Sequence, residues 1–260
     1  MAVPTVSNPS YSTGGTRTGR ILQTTFSVAF LLATLFTGFS PKMFSGNFGG
    51  IISGILTPQP DSSGTVPTTQ KTIRIGIVSG HWGNGDDPGA VCPDGTNEQA
   101  VNLKIATLVQ QGLEAQGYTY KIDLLQEFDP RLDGYVAALL LSIHSDTCDV
   151  IDAQATGFKL AASSYSRDKN LTDRLSACLY SRYSLATGLP YRSGNITLNM
   201  TDYHAFRAID PSTPAAIIET GFLNLDRSLL VDHPEVVANG LVAGVLCFVR
   251  SESVQPMPTP

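Results

Sequence analysis

Three apolar stretches of this 260-residue chain each run into a side chain that can bind a metal ion or carry a proton. Ile73–Ser79 is followed by Gly80-His81, Val136–Ile143 by His144, and Ala215–Ile218 by Glu219 with Gly221 close behind. Neutral imidazoles suit Zn2+, and a catalytic zinc commonly takes three protein donors and keeps a further position open for water. Glu98 is placed to be the third donor, because it follows the Gly- and Asp-rich loop His81–Ala90 and would open a helix. Such a water also needs a carboxylate outside the metal to take its proton and hand it to the leaving group, a part that Glu219 can play. Taken from spacing alone, this zinc hydrolase is one reading among several.

The elements that must position these groups alternate between strand and helix patterns, which marks an α/β layer architecture. Ile73–Ser79 is β-branched and apolar and breaks at Gly80. A helix is expected from Glu98 to about Gln116, capped by Thr96 or Asn97 and stopped by Gly117. Its apolar positions Val101, Ile105, Leu108, Val109 and Leu113 follow helical spacing. Tyr118–Leu125 alternates like a strand, and Val136–Ile143 closes on a solid apolar run, as a strand buried on both faces does. Lys169–Ala186 reads as a helix closed by Gly188, Ala215–Glu219 as a short buried strand, and Pro234–Val249 as a final helix with proline in its first turn. The expectation is a single three-layer α/β domain, a twisted, mostly parallel or mixed sheet flanked by helices. In open sheets of this kind ligands bind beyond the carboxyl ends of the strands, where His81, His144 and Glu219 fall.

Charged residues make up 15% of the chain, against about a quarter in an ordinary soluble protein. The deficit is greatest in residues 1–70, which carry three basic side chains (Arg17, Arg20, Lys42) and one acidic (Asp61). Residues 71–260 hold 14 basic and 21 acidic residues, and this acidic balance without a basic stripe argues against nucleic acid as a partner. Residues 1–20 are a polar tail, too poor in apolar side chains to fold. Ile21–Phe39 is an uncharged run that, at about 1.5 Å per residue, just spans the roughly 30 Å hydrocarbon core of a bilayer. It reads either as a transmembrane signal anchor or as the apolar part of a signal peptide, with Thr37-Gly38-Phe39-Ser40 a poor cleavage site. Arg17 and Arg20 ahead of it place the N-terminus in the cytoplasm and the remainder outside. Residues 40–70, rich in Gly, Ser, Thr and Pro, read as a flexible linker, and residues 252–260 as a disordered tail.

Gly80-His81, Asp87-Pro-Gly-Ala90, Glu98, Leu141-Ser-Ile-His144 and Ile218-Glu-Thr-Gly-Phe-Leu-Asn224 occur in one frame within residues 72–251. Their order and spacing resemble the zinc-dependent N-acetylmuramoyl-L-alanine amidases. The resemblance implies one zinc ion per chain, held by His81, Glu98 and His144, with Glu219 as the catalytic glutamate. It implies hydrolysis of the amide joining the lactyl group of N-acetylmuramic acid to L-alanine, so that the partner is peptidoglycan or a muropeptide. The catalytic domain, residues 71–251, would then work outside the cytoplasm, secreted or held at the membrane through the N-terminal segment. The chain also departs from the pattern. Such amidases usually carry Asp-Pro before the first Gly-His, where this chain has Val78-Ser79; a partner behind the ligand is thereby lost, with Asp86, Asp87 or Asp146 as substitutes. The separation of 75 positions from His144 to Glu219 leaves little room for the blocking helix of regulated relatives.

Other residues carry two readings each. His204 is a donor to the oxyanion or substrate, or an ordinary packed or surface histidine. Arg207 is a clamp for a stem-peptide carboxylate, or half of a salt bridge. Trp82 lines the cleft or packs beneath the metal, while His233, at a helix start, is structural. Cys92 and Cys148 each lie just past a ligand-bearing loop and are expected to be bridged, as an oxidising exterior permits. Cys178 and Cys247 sit within helical patterns and are expected as buried thiols. Two rival functions keep this fold: a non-catalytic wall-binding or regulatory module, and a zinc carboxypeptidase acting on the stem peptide. The second calls for a clearer clamp on a terminal carboxylate than a lone Arg207.

Overall fold

The computed structural model of the protein describes residues 72–117 and 119–258. The hydrophobic segment at 21–39, with its polar tail and the linker at 40–70, lies outside the described residues. Among the described residues no helix is long and apolar enough to cross a membrane.

Strands β1 (Ile73–Ser79), β2 (Tyr120–Gln126), β3 (Leu139–Asp146), β4 (Lys159–Ala162) and β5 (Ala215–Phe222) form one sheet in the order β2-β1-β3-β5-β4. All pairings are parallel except that of β4, which runs antiparallel to β5 at the edge. The expected α/β domain with a mixed sheet therefore forms. The central strands are near-continuous apolar runs because both of their faces are covered, and Ile75, Ile77, Val78, Leu139, Leu140, Leu141, Ile143 and Ile218 are all 0% exposed. On one face, α1 (Glu98–Glu114), α2 (Lys169–Thr187) and α5 (Pro234–Val249) pack Ile105, Leu113, Leu179, Tyr183 and Val245 onto Ile75, Ile77, Leu141 and Ile218. On the other, two short helices, α3 (Leu198–Thr201) and α4 (His204–Ala208), help to place Met200, Tyr203 and Phe206 over Val78, Leu140 and Ile217.

The helix boundaries follow the local chemistry. The Asn97 side chain accepts a hydrogen bond from the Ala100 N–H at the start of α1, and Gly188, in the left-handed region at φ 68°, closes α2. Strand β4 and the two short helices carry too few residues for any periodicity to announce them. The Cys92–Cys148 bridge is present, with Cα atoms 5.4 Å apart. Cys178 and Cys247 are a correction to the sequence reading: they are joined in a second disulfide, Cα to Cα 5.6 Å, because they lie on the facing sides of α2 and α5. Val254 and Met257 pack against the core, and Arg174 donates to the Glu252 carbonyl at 2.9 Å.

Candidate metal centre

Strand register gathers the functional side chains. Ser79 is the partner of Ile143, and His144 of Glu219, so His81, just past β1, comes to one rim with His144 and Glu219, which lie within the last few residues of β3 and β5 and not beyond their ends as expected. His144 and Glu219 are neighbours on parallel strands roughly 4.8 Å apart. Glu98 arrives from the first turn of α1. Two glycines make the close approach possible. A Cβ on Gly80 would sit 2.3 to 2.5 Å from the His144 ring. Gly89, at φ +66°, would place a Cβ 2.5 Å from Glu98 Oε2. His81 itself is held in the left-handed region at φ 62°, with its N–H donating to Glu127 Oε2 at 2.6 Å.

His81 Nε2 lies 3.2 Å from Glu98 Oε2, and His144 Nδ1 lies 3.3 Å from Glu98 Oε1. The three residues offer ligand atoms all within 4.8 Å of one another and could hold a metal ion. Donors around a tetrahedral ion with bonds of about 2.0 Å stand about 3.3 Å apart, so the spacing and the N, N, O donor set suit zinc. The carboxylate is fixed from behind: Oε2 accepts from the Ala90 N–H at 3.2 Å, while Oε1 accepts from Asn102 Nδ2 at 3.1 Å and the Ser145 N–H at 3.3 Å. Asp87 Oδ2 meets His81 Nδ1 at 3.2 Å, so of the three substitutes named for the lost aspartate it is Asp87 that reaches a candidate ligand. Asp146 instead pairs with Lys159.

Without an ion, protons sit among these groups. Acceptance by Glu98 raises the His81 imidazole to about 9, against the opposing effect of its burial. Burial would raise the Glu98 carboxyl, but hydrogen bonds from His144 and His81 outweigh it and hold the group well below the usual carboxylate range. Glu219 behaves oppositely. Burial is the main cause that pushes it up to about 7, with the charges of Glu98 and Asp146 adding and His144 opposing. Its Oε2 is sealed from solvent and has no hydrogen-bond partner among the described residues.

The remaining candidates divide clearly. His204 Nε2 lies 3.1 Å from the Glu127 carbonyl, and its ring stacks on Phe128 at 4.1 Å. Arg207 is taken up by Asp202, and also donates to the Tyr165 hydroxyl at 3.1 Å. His233 faces Glu235 in an exposed pair at the start of α5. Trp82 is half-buried in the turn after β1, its carbonyl accepting from the Glu127 N–H at 3.0 Å. Sequence reasoning missed Glu127 and Tyr203. Glu127 directly follows β2 and so obeys the same strand-end rule that picked out the others, whereas Tyr203 gives no signal in the sequence.

An α/β sheet with two imidazoles and a carboxylate converging at the carboxyl-end rim of its strands defines an α/β protein with a candidate metal centre. The chain belongs to the N-acetylmuramoyl-L-alanine amidase family, whose profile matches residues 75–245, and it is an enzyme of that class acting as a peptidoglycan amidase. No match was found among curated protein sequences. Solved structures are similar in fold. The CwlD amidase of Clostridioides difficile, solved in complex with the GerS lipoprotein, superposes with a TM-score of 0.55 at 21% identity, over 69% of this chain and 100% of that one. An N-acetylmuramoyl-L-alanine amidase of Clostridium difficile 630 gives 0.54 at 20%, over 70% and 100%. The catalytic domain of CwlV from Bacillus (Paenibacillus) polymyxa var. colistinus gives 0.51 at 21%, over 69% and 99%.

Proposed function

We propose that the protein is a zinc-dependent hydrolase that cleaves the amide between N-acetylmuramic acid and L-alanine in peptidoglycan. The observation that carries this reading is the convergence of His81 Nε2, Glu98 and His144 Nδ1 beside Glu219, a half-buried residue with one sealed carboxylate oxygen that has no hydrogen-bond partner among the described residues. His81, Glu98 and His144 would hold the ion. A zinc ion so bound polarises the scissile carbonyl and lowers the pKa of a water to about 7. Glu219 would take a proton from the attacking water and return it to the departing alanine nitrogen as the C–N bond breaks. Its orphan oxygen leaves an acceptor free for that proton. The carboxypeptidase reading loses its one clamp, since Arg207 is already spent on Asp202.

The same reading divides the chain into a polar tail at 1–20, a signal anchor or signal peptide at 21–39, a linker at 40–70 and the catalytic domain at 71–251. This places the reaction outside the cytoplasm and ties the domain to the membrane through its N-terminal segment where that segment is retained. The test is incubation of the purified, zinc-loaded protein with sacculi and with a muramyl peptide, the products being identified by mass spectrometry. Release of the intact stem peptide with a free L-alanine amine is expected. Loss of a terminal residue instead would establish the carboxypeptidase, and no product from folded, zinc-loaded protein would establish the binding module.

A further inference from the structure

Beyond the three ligands lies a buried hydrogen-bond chain that neither the metal site nor the proposed proton carrier uses. Glu127, 6% exposed, follows β2 and turns inward. One of its oxygens, Oε2, accepts the His81 N–H at 2.6 Å, and the other, Oε1, accepts the Tyr203 hydroxyl at 3.1 Å. The Tyr203 oxygen also lies 3.2 Å from Ser142 Oγ and 3.3 Å from His144 Nε2, and the two rings meet edge to face.

Donor and acceptor arithmetic leaves one consistent assignment. The Tyr203 hydroxyl donates to Glu127 Oε1 and so spends its single proton there. The phenol oxygen is then an acceptor, and the groups left to fill it are Ser142 Oγ–H and His144 Nε2–H. With a proton kept on Nε2, the His144 ring can give up the Nδ1 proton that faces Glu98 at 3.3 Å in the metal-free protein and offer Nδ1 as the donor atom to an ion.

We infer that Glu127 and Tyr203 are positioning residues for the metal centre: one carboxylate fixes the backbone of His81 directly, and fixes the tautomer of His144 through the phenol. The inference rests on the zinc reading above. Partners of this kind behind a metal-ligating histidine commonly contribute about 10- to 100-fold to metal affinity.

The experiment is a competition titration of zinc against a chromogenic chelator on the full chain and on Tyr203→Phe and Glu127→Gln, with 15N NMR of the histidine rings in the zinc-loaded state. Unfolding of each metal-free variant serves as the folding control. The expected result for Tyr203→Phe is zinc bound about 10- to 100-fold more weakly, together with loss of a single Nε2-protonated signature for His144. Equal zinc affinity and an unchanged His144 tautomer in a folded variant would overturn the inference while leaving the zinc reading intact. Should Tyr203→Phe fail to fold, Glu127→Gln carries the same two readouts. A wild-type chain that binds no zinc would overturn both.

Discussion

Replacing Glu219 by glutamine removes one charge and almost no volume, and it should move activity and stability in opposite directions. In the metal-free protein the carboxyl is pushed from 4.5 to about 7. The native state then binds this proton more tightly than the unfolded chain does, so the carboxyl's contribution to stability falls as the pH rises from about 4.5 to about 7. Linkage between 4.5 and about 7 makes the ionised side chain cost about 2.5 kcal/mol more at pH 8 than at pH 5. Glutamine does not titrate, so Glu219→Gln should gain up to about that much relative to the parent between these two pH values. Comparing the two pH values cancels the cost of burying an unpaired amide, which is the same at both. The assay is urea unfolding of both proteins with chelator present, at pH 5 and pH 8. In the zinc-loaded protein the same substitution should cut turnover of a muramyl peptide by about 100- to 10,000-fold, the usual worth of a positioned proton carrier. A stability difference identical at the two pH values would refute the electrostatic argument. Undiminished turnover would show that the proton passes elsewhere.

Further outcomes follow from the same geometry. Zinc content, measured by elemental analysis, should be near one per chain in the native protein and near zero after His81→Ala or Glu98→Ala, with turnover lost alongside. Asp87→Asn should weaken zinc by about tenfold or more in chelator competition, because the acceptor for His81 Nδ1 becomes neutral. Replacing Cys178 and Cys247 together by alanine should cost about 4 kcal/mol in urea unfolding, since the bridge spans 69 residues; no loss, or four free thiols in the unreduced native chain, would remove the bridge from the account. Asp123 is buried, which alone would raise it, but bonds from Arg74 and Tyr135 hold it below its ordinary value. The stability it contributes is present above about 3.9 and is lost as the pH falls through its lower native value, so Asp123→Asn should flatten the acid limb of a stability–pH curve.

Much of this was legible in the sequence for a physical reason. Parallel strands buried on both faces must be apolar along their central stretch, so the polar residue that interrupts or follows each apolar run stands out, and His81, His144 and Glu219 were singled out that way. Glu98 was visible because a helix start beside a glycine-rich loop has a local signature. What escaped depended on distance along the chain. Cys178 and Cys247 are single positions in two helices, and only the packing of α2 on α5 decides that they meet. Tyr203 lies 59 residues from His144 and 76 from Glu127, and no local pattern couples the three. Strand β4 is recognisable only from its partner, because four residues carry no period.

The two disulfides close loops that follow one another along the chain without overlapping, Cys92 to Cys148 and Cys178 to Cys247. Glu98, Glu127 and His144 all belong to the first ring, Tyr203 and Glu219 to the second, and His81 to neither. A single peptide-bond cut anywhere inside a ring leaves its two ends covalently joined. The exposed stretch around Phe128 and Val136 is thus a place where a protease could nick the protein without parting Glu98 from His144. The connection between the rings, residues 149–177, has no such safeguard, and a cut there would divide the groups proposed to grip the ion from the carboxylate proposed to move the proton.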